Sequence, residues 1–162
     1  MAWIVEIGYK NGFTDPVGFL IKKEIEDLGI KGVEVVKAFS TYRISGRVSE
    51  EEIKKICEEL LVDKQIQEYG YSNGKVDKLL KKEFPNAWLI EVNFKRGVTD
   101  AVGASTTHAI EILGIDSVRE VRTGNKYLII GNLSEDDIKL ICKRCLANEL
   151  IQKYTYRKLG GN

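Results

Sequence analysis

One histidine, His108, stands in 162 residues, beside two prolines, one methionine and three cysteines. The shortage of histidine and cysteine closes off classes of chemistry. A lone histidine leaves no cluster of His, Cys and Asp at metal-ligand spacing, and no glycine-rich phosphate loop of P-loop form occurs. Three cysteines make neither a disulfide framework nor a four-ligand zinc site; Cys142 and Cys145 stand three apart, but Cys145 aligns with Leu60 of an internal repeat, which marks a core position. No charge dominates: 25 basic and 24 acidic side chains give a net +1, which argues against a nucleic-acid footprint or a polybasic membrane patch. No apolar run nears the roughly 20 residues of a membrane span, and Met1 runs at once into strand-like sequence instead of a signal peptide, so a cytoplasmic location is expected. With so thin an inventory, no catalytic residue, metal or cofactor is expected in this chain.

What the sequence has is a duplication. Residues 3–71 align without a gap on 88–156 at a constant offset of 85, with 29 of 69 pairs identical. Trp3/Trp88, Asp15/Asp100, Gly18/Gly103, Leu28-Gly29-Ile30/Leu113-Gly114-Ile115, Cys57/Cys142 and Tyr71/Tyr156 carry the match. Two units with one hydrophobic pattern adopt one fold and pack about a pseudo-two-fold axis. A unit of about 70 residues is marginal alone, so the pair is expected to share a core or a sheet. The organisation read is residues 1–71 as the first repeat, 72–87 as a linker in which Lys75 to Phe84 has the makings of a short basic helix, and 88–159 as the second repeat.

Within a repeat, Trp3, Val5, Ile7 and Tyr9 alternate with Ile4, Glu6 and Gly8, a strand with one apolar face. Thr14-Asp15-Pro16 then sets a capping side chain before a proline suited to the first helical position. The helix stripe is read as Val17, Ile21, Ile25 and Leu28, ended by Gly29; its counterpart is Val102, Thr106, Ile110 and Leu113, ended by Gly114. Residues 33–39 and 42–47 read as two β segments, as do 118–123 and 127–131 around Gly124-Asn125, a hairpin-turn pair that the first copy lacks at Phe39-Ser40-Thr41. Ser49-Glu50-Glu51-Glu52 and Ser134-Glu135-Asp136-Asp137 have the form of capping boxes. They open second helices with stripes Ile53, Ile56, Cys57, Leu60, Leu61 and Ile138, Ile141, Cys142, Cys145, Leu146. A last strand ends in Tyr-x-Tyr. The fold class is therefore α+β: two tandem β-α-β-β-α-β repeats, two-layer with mainly antiparallel sheets, packed as an intrachain pseudo-dimer.

Four motifs occur in order: Asp-Pro-x-Gly opening the first helix, Leu-Gly closing it, Val-x-x-Val-Arg-x-Gly-x-Lys across the central β pair, and Cys-x-x-x-Leu-Ala-Asn-x-x-Ile-x-x-Tyr at the finish. As a set they resemble PurS, the small subunit of phosphoribosylformylglycinamidine synthase. The second copy carries Val118, Val121 to Lys126, and Cys142 through Leu146-Ala147-Asn148 to Tyr154; the first keeps Asp15-Pro16-Val17-Gly18 and Leu28-Gly29. The first departs at Val36-Lys37-Ala38-Phe39 and at Leu61-Val62-Asp63, and in the second Ala101 replaces the proline.

The resemblance implies a non-catalytic adaptor that joins a glutaminase (PurQ-type) subunit to an ATP-using synthetase (PurL-type) subunit. Its implied partner contacts are Arg122, Thr123, Gly124, Asn125, Lys126, Leu146, Ala147 and Asn148. Linking two copies makes dimerisation intramolecular, and further homodimerisation through free sheet edges is compatible with the pattern. An alternative is a tandem ACT-like regulatory module binding an amino acid, which shares the element order and the helix-opening Asp-Pro-x-Gly. An RNA-recognition sheet would need aromatic stacking pairs on its central strands, and none is present. Asp15 and Asp100 read as helix caps before they read as ligand holders, and His108 as a solvated surface residue.

Overall fold

The structure, a computed structural model, describes residues 2–75, 77–79 and 86–160. β1 (Ala2–Tyr9) leads to α1 (Pro16–Asp27), β2 (Val33–Gly46), α2 (Glu50–Ile56), β3 (Gln67–Ser72) and the two-residue β4 (Asp77–Lys78). The second repeat gives β5 (Ala87–Phe94), α3 (Ala101–Ile112), β6 (Val118–Gly131), α4 (Glu135–Ile141) and β7 (Gln152–Leu159). The strand order is β4-β3-β1-β2-β6-β5-β7, and β1 pairs antiparallel with β2 and β3, as β5 does with β6 and β7. The fold is α+β with two copies of one repeat, as the sequence indicates. Within the linker, residues 76 and 80–85, and with them most of the expected helix, lie outside the described residues; Asp77 and Lys78 pair with Ser72 and Tyr71 as a strand.

The central hairpin does not form. Residues 33–46 make one 14-residue strand, and so do 118–131. A two-residue hairpin turn of type I′ needs positive φ at both central residues, whereas Gly124 and Asn125 stay in the ladder opposite Asn93 and Val92 and neither has positive φ. The expected stripe of α1 also shifts. Gly18, Ile21 and Ile25 are buried, while Val17 is 48% exposed, and Val102 of α3 is 59% exposed. Leu60, too, lies out of the core at 37% exposure. The glycine at the helix start explains this rotation. A Cβ on Gly18 would collide with the Val36 carbonyl, and one on Gly103 with the Val121 carbonyl, so the backbone itself faces the strand and Val17 and Val102 turn outward.

With β2 and β6 unbroken, each strand carries the chain from one compact unit into another. The first unit comprises Met1–Phe13, Ser40–Lys81 and Thr99–Thr123; the second comprises Thr14–Phe39, Lys82–Val98 and Gly124–Asn162. The first unit thus takes α3 and the first half of β6 from the second repeat, and the second unit takes α1 and the first half of β2 from the first. This is a reciprocal exchange of a helix and half a strand inside one chain, the relation that domain swapping creates between protomers.

The cores follow the same division. In the first unit Trp3, Val5, Ile7, Ile44, Ile53, Ile56 and Cys57 pack with Ile110, Ile115 and Val121 of the other repeat. In the second, Trp88, Ile90, Val92, Ile129, Ile138, Ile141 and Cys142 pack with Ile21, Ile25, Ile30 and Val36. Each fully buried isoleucine stabilises its core by about 1.5–3 kcal/mol, so the borrowed side chains are a large part of what holds each unit.

The exchange makes a specific prediction. Ile25, fully buried, belongs by sequence to the first repeat but by packing to the second unit, so Ile25→Ala should cost about 2–5 kcal/mol. Native-state hydrogen exchange should show the loss of protection in β5, α4 and β7. Loss confined to β1, α2 and β3 would contradict the exchanged arrangement.

Candidate partner-binding surface

The most fully built polar feature is an aspartate at the head of each exchanged helix. Asp15 accepts from the Gly18 N–H at 2.9 Å, capping α1, and with its other oxygen from the Ala38 N–H at 2.8 Å. Asp100, 6% exposed, accepts from the Gly103 N–H at 2.8 Å and from the Thr123 N–H at 2.5 Å, and the Thr123 hydroxyl donates to the same carboxylate at 2.9 Å. Asp-x-x-Gly is therefore a clamp: the carboxylate ties helix to strand, and the glycine lets the two backbones touch. Each carboxylate oxygen has an internal donor, a structural use of the aspartates that capping predicts. Tyr42 lies nearby, its phenol raised above its ordinary pKa by burial and by the Asp100 charge. Replacing Asp100 with alanine strands buried donors and removes a cap, so a urea titration of Asp100→Ala should show a loss of about 2 kcal/mol, with Asp100→Asn losing less.

The proposed contact residues fall into two groups. Arg122 to Lys126 run through the middle of β6 instead of crossing a turn. Arg122 Nε lies 4.0 Å from Glu120 Oε1, Thr123 is spent on Asp100, and Gly124 and Asn125 face β5. Lys126 sits opposite Glu91 with Nζ 3.4 Å from its Oε1, and burial and the nearby Arg157 hold its pKa below the ordinary lysine value.

Leu146, Ala147 and Asn148 lie instead where the second repeat's last helix ends. There α4 widens into a π turn, Cys142–Leu146, closed by the Ala147 N–H donating to the Cys142 carbonyl at 2.9 Å. Leu146 is buried, and Asn148 closes the following turn: its Oδ1 accepts from the Leu150 N–H at 3.1 Å, and its own N–H donates to Gln152 Oε1 at 2.8 Å. Asp63 builds the same turn in the first repeat, with Gln65 and Gln67 as partners at 3.1 and 2.9 Å. The Leu-Ala-Asn motif thus has a folding role shared by the Leu-Val-Asp that replaces it.

The first repeat has the matching π turn, Cys57–Leu61, and the three thiols sit within these two turns, where they are chemically quiet. Burial pushes Cys57 and Cys142 up to about 12 and Cys145 up to about 11, with the Glu24 carboxylate adding to the last. A thiol reacts as its thiolate, so at pH 8 at most about one in 1,000 of these groups is reactive. Cys145 is only partly buried, at the border of the core and not within it; iodoacetamide at pH 8 should label the three cysteines slowly in the folded chain and quickly in urea, and rapid labelling of folded Cys57 or Cys142 would contradict their burial.

One concavity was not anticipated from the sequence. In the first unit Tyr42, Leu60 and Leu61 face Ala101, Val102, Ser105, Thr106 and Ala109 of α3 across a cleft of about 400 Å³. The second unit carries Leu20, Ile21 and Glu24 where α3 has Ser105, Thr106 and Ala109. The signal was present in the aligned repeats as three large-to-small differences on one helix face. On α1 the same comparison leaves Phe19 and Leu20 exposed, at 63% and 58%, against Ala104 and Ser105 on α3.

Fold and surface together define a class: a duplicated, segment-exchanged α+β scaffold. The family model for PurS, phosphoribosylformylglycinamidine (FGAM) synthase, matches residues 2–73 and again 88–160. The chain belongs to the PurS family. Among curated relatives, the PurS subunit of phosphoribosylformylglycinamidine synthase from Archaeoglobus fulgidus is 32% identical over 71 residues, 41% of this chain and 89% of that protein. The Bacillus subtilis PurS subunit is 30% identical over 71 residues, 41% of this chain and 84% of that protein. Each relative thus spans a single repeat. The crystal structure of Methanocaldococcus jannaschii PurS matches at 25% identity over 47% of this chain and 98% of that one, with a TM-score of 0.38.

Proposed function

We propose that this chain is the small subunit of phosphoribosylformylglycinamidine synthase in purine biosynthesis, and that it joins a PurQ-type glutaminase to a PurL-type synthetase. In that role it supplies no catalytic residue; it holds two enzymes so that ammonia released from glutamine reaches the amidine-forming, ATP-using site. The observation that carries this reading is the family match over both repeats. The exchanged fold supports it, since each repeat completes the other's core and the paired form is permanent at any concentration. On this reading 1–71 and 88–159 stand for two copies of the subunit, and Arg122, Thr123, Gly124, Asn125, Lys126, Leu146, Ala147 and Asn148 belong to the half that meets the complex.

The test is reconstitution. Synthetase and glutaminase subunits should be retained on the immobilised chain, and glutamine-dependent FGAM formation should rise when the chain is added to them. A saturable thermal shift with a free amino acid, without such retention, would favour the regulatory reading instead. Arg122 and Lys37 are equivalent positions. Arg122→Glu should weaken retention about tenfold more than Lys37→Glu, as loss of one charged contact does; equal effects would remove the assigned asymmetry.

A further inference from the structure

The last strands of the two repeats, β3 and β7, occupy equivalent positions in the duplication but differ in their surroundings. β3 has a neighbour on its outer side, where Tyr71 and Ser72 pair with Lys78 and Asp77 of β4. β7 ends the strand order, and among the described residues only β5 pairs with it. Its eight residues extend about 26 Å. The Lys95 N–H donates to the Ile151 carbonyl at 2.8 Å, which fixes the alternation of the antiparallel ladder. Lys153, Thr155, Arg157 and Leu159 direct their backbone groups at β5, and Gln152, Tyr154, Tyr156 and Lys158 direct theirs outward.

What decorates this edge differs between the copies. β7 carries Lys153, Arg157 and Lys158 and no acid; the matching positions in the first repeat are Glu68, Ser72 and Asn73. Lys153, Thr155 and Arg157 are exposed and share one face of the strand. Just before β7 stand Leu150, 85% exposed, and Ile151, 40% exposed, where the first repeat has Gln65 and Ile66. Lysines on an edge are a familiar guard against strand addition, and they do oppose self-pairing here: a two-fold pairing centred on Thr155 sets Lys153 against Arg157, like charges directly opposed. A guarded edge has no use for a leucine held in water at its start. The combination suits a foreign strand of opposite charge.

We propose that the outer edge of β7 accepts an extended, acidic segment of a partner subunit, which adds as a strand with two carboxylates four residues apart facing Lys153 and Arg157 and an apolar side chain against Leu150. Main-chain hydrogen bonds supply the binding and the same-face side chains supply its selectivity. The partner is sought in the synthetase complex, so this inference rests on the subunit reading given above.

The experiment compares the full wild-type chain with Lys158→Pro, which deletes an outward N–H and leaves the β5 ladder whole, and with the double variant Lys153→Glu/Arg157→Glu. Circular dichroism and urea midpoints check that each variant is folded, and the double variant, altered only in exposed side chains, keeps the test open should the proline variant not fold. Binding of the purified synthetase and glutaminase subunits is then measured by surface plasmon resonance at low and high salt, and the chain alone is sedimented. Each folded variant should bind at least tenfold more weakly than wild type, and the wild-type affinity should fall with salt. If wild type binds neither subunit, the subunit reading fails. If wild type binds and the folded variants bind equally well, the edge proposal fails while the subunit reading stands. Self-association of the wild-type chain that Lys158→Pro abolishes would assign the edge to a second copy and overturn the proposal.

Discussion

The unbroken run of two strands through Phe39-Ser40 and through Thr123-Gly124 is the constraint on which the rest of the molecule depends. Before each hinge, the half-strand is tied to its own helix by an aspartate, Asp15 to Ala38 and Asp100 to Thr123. After it, the other half pairs with the first strand of the same repeat, from Ala2↔Ser45 to Ile7↔Ser40 and from Ala87↔Ile130 to Asn93↔Gly124. A turn at the hinge would return each helix to its own sheet. An extended hinge delivers it to the other core, and the clamps ensure that helix and half-strand travel as one piece. The hydrogen bonds at the strand ends, Asn132 N–H to the Gly32 carbonyl at 3.1 Å and Arg47 N–H to the Ser117 carbonyl at 3.2 Å, complete each unit with groups from both repeats.

Reciprocity explains why a good turn sequence fails to turn. Phe39-Ser40-Thr41 has no residue suited to positive φ, and β-branched and aromatic side chains there favour extended backbone. Once α1 occupies the second core, the equivalent place is taken, and α3 can bury Ile110 only in the first. Gly124-Asn125 must then be extended whatever its local preference, since glycine and asparagine tolerate a strand at small cost while an unburied Ile110 would not be tolerated. One repeat's refusal to bend therefore sets the geometry of both.

This is also the limit of what local sequence made legible. The elements, the capping boxes at Ser49 and Ser134, the two aspartate caps and the duplication were all readable, because each rests on contacts a few residues apart or on the repeat itself. The hairpin was not, because turn chemistry at Gly124-Asn125 describes only an isolated chain. The helix stripe was misread by one position because Gly18 and Gly103, which carry no side chain to count, are the residues that touch the strand. The Leu-Ala-Asn motif was legible as a motif but not as a turn, and only the parallel bonds of Asp63 reveal that role. The small residues of α3 were visible in the alignment of the two copies, yet their meaning needed the cleft they open opposite Leu60 and Leu61.

The exchanged cores also bear on how such a chain can change over generations. Two identical chains that pair must present every surface twice, so a gain on one face is forced onto its symmetric mate. Here each half mutates independently, while a lone half would have to take its missing helix and half-strand from a second copy. The fusion thereby permits handedness: one core borrows a helix bearing Leu20, Ile21 and Glu24, the other a helix bearing Ser105, Thr106 and Ala109.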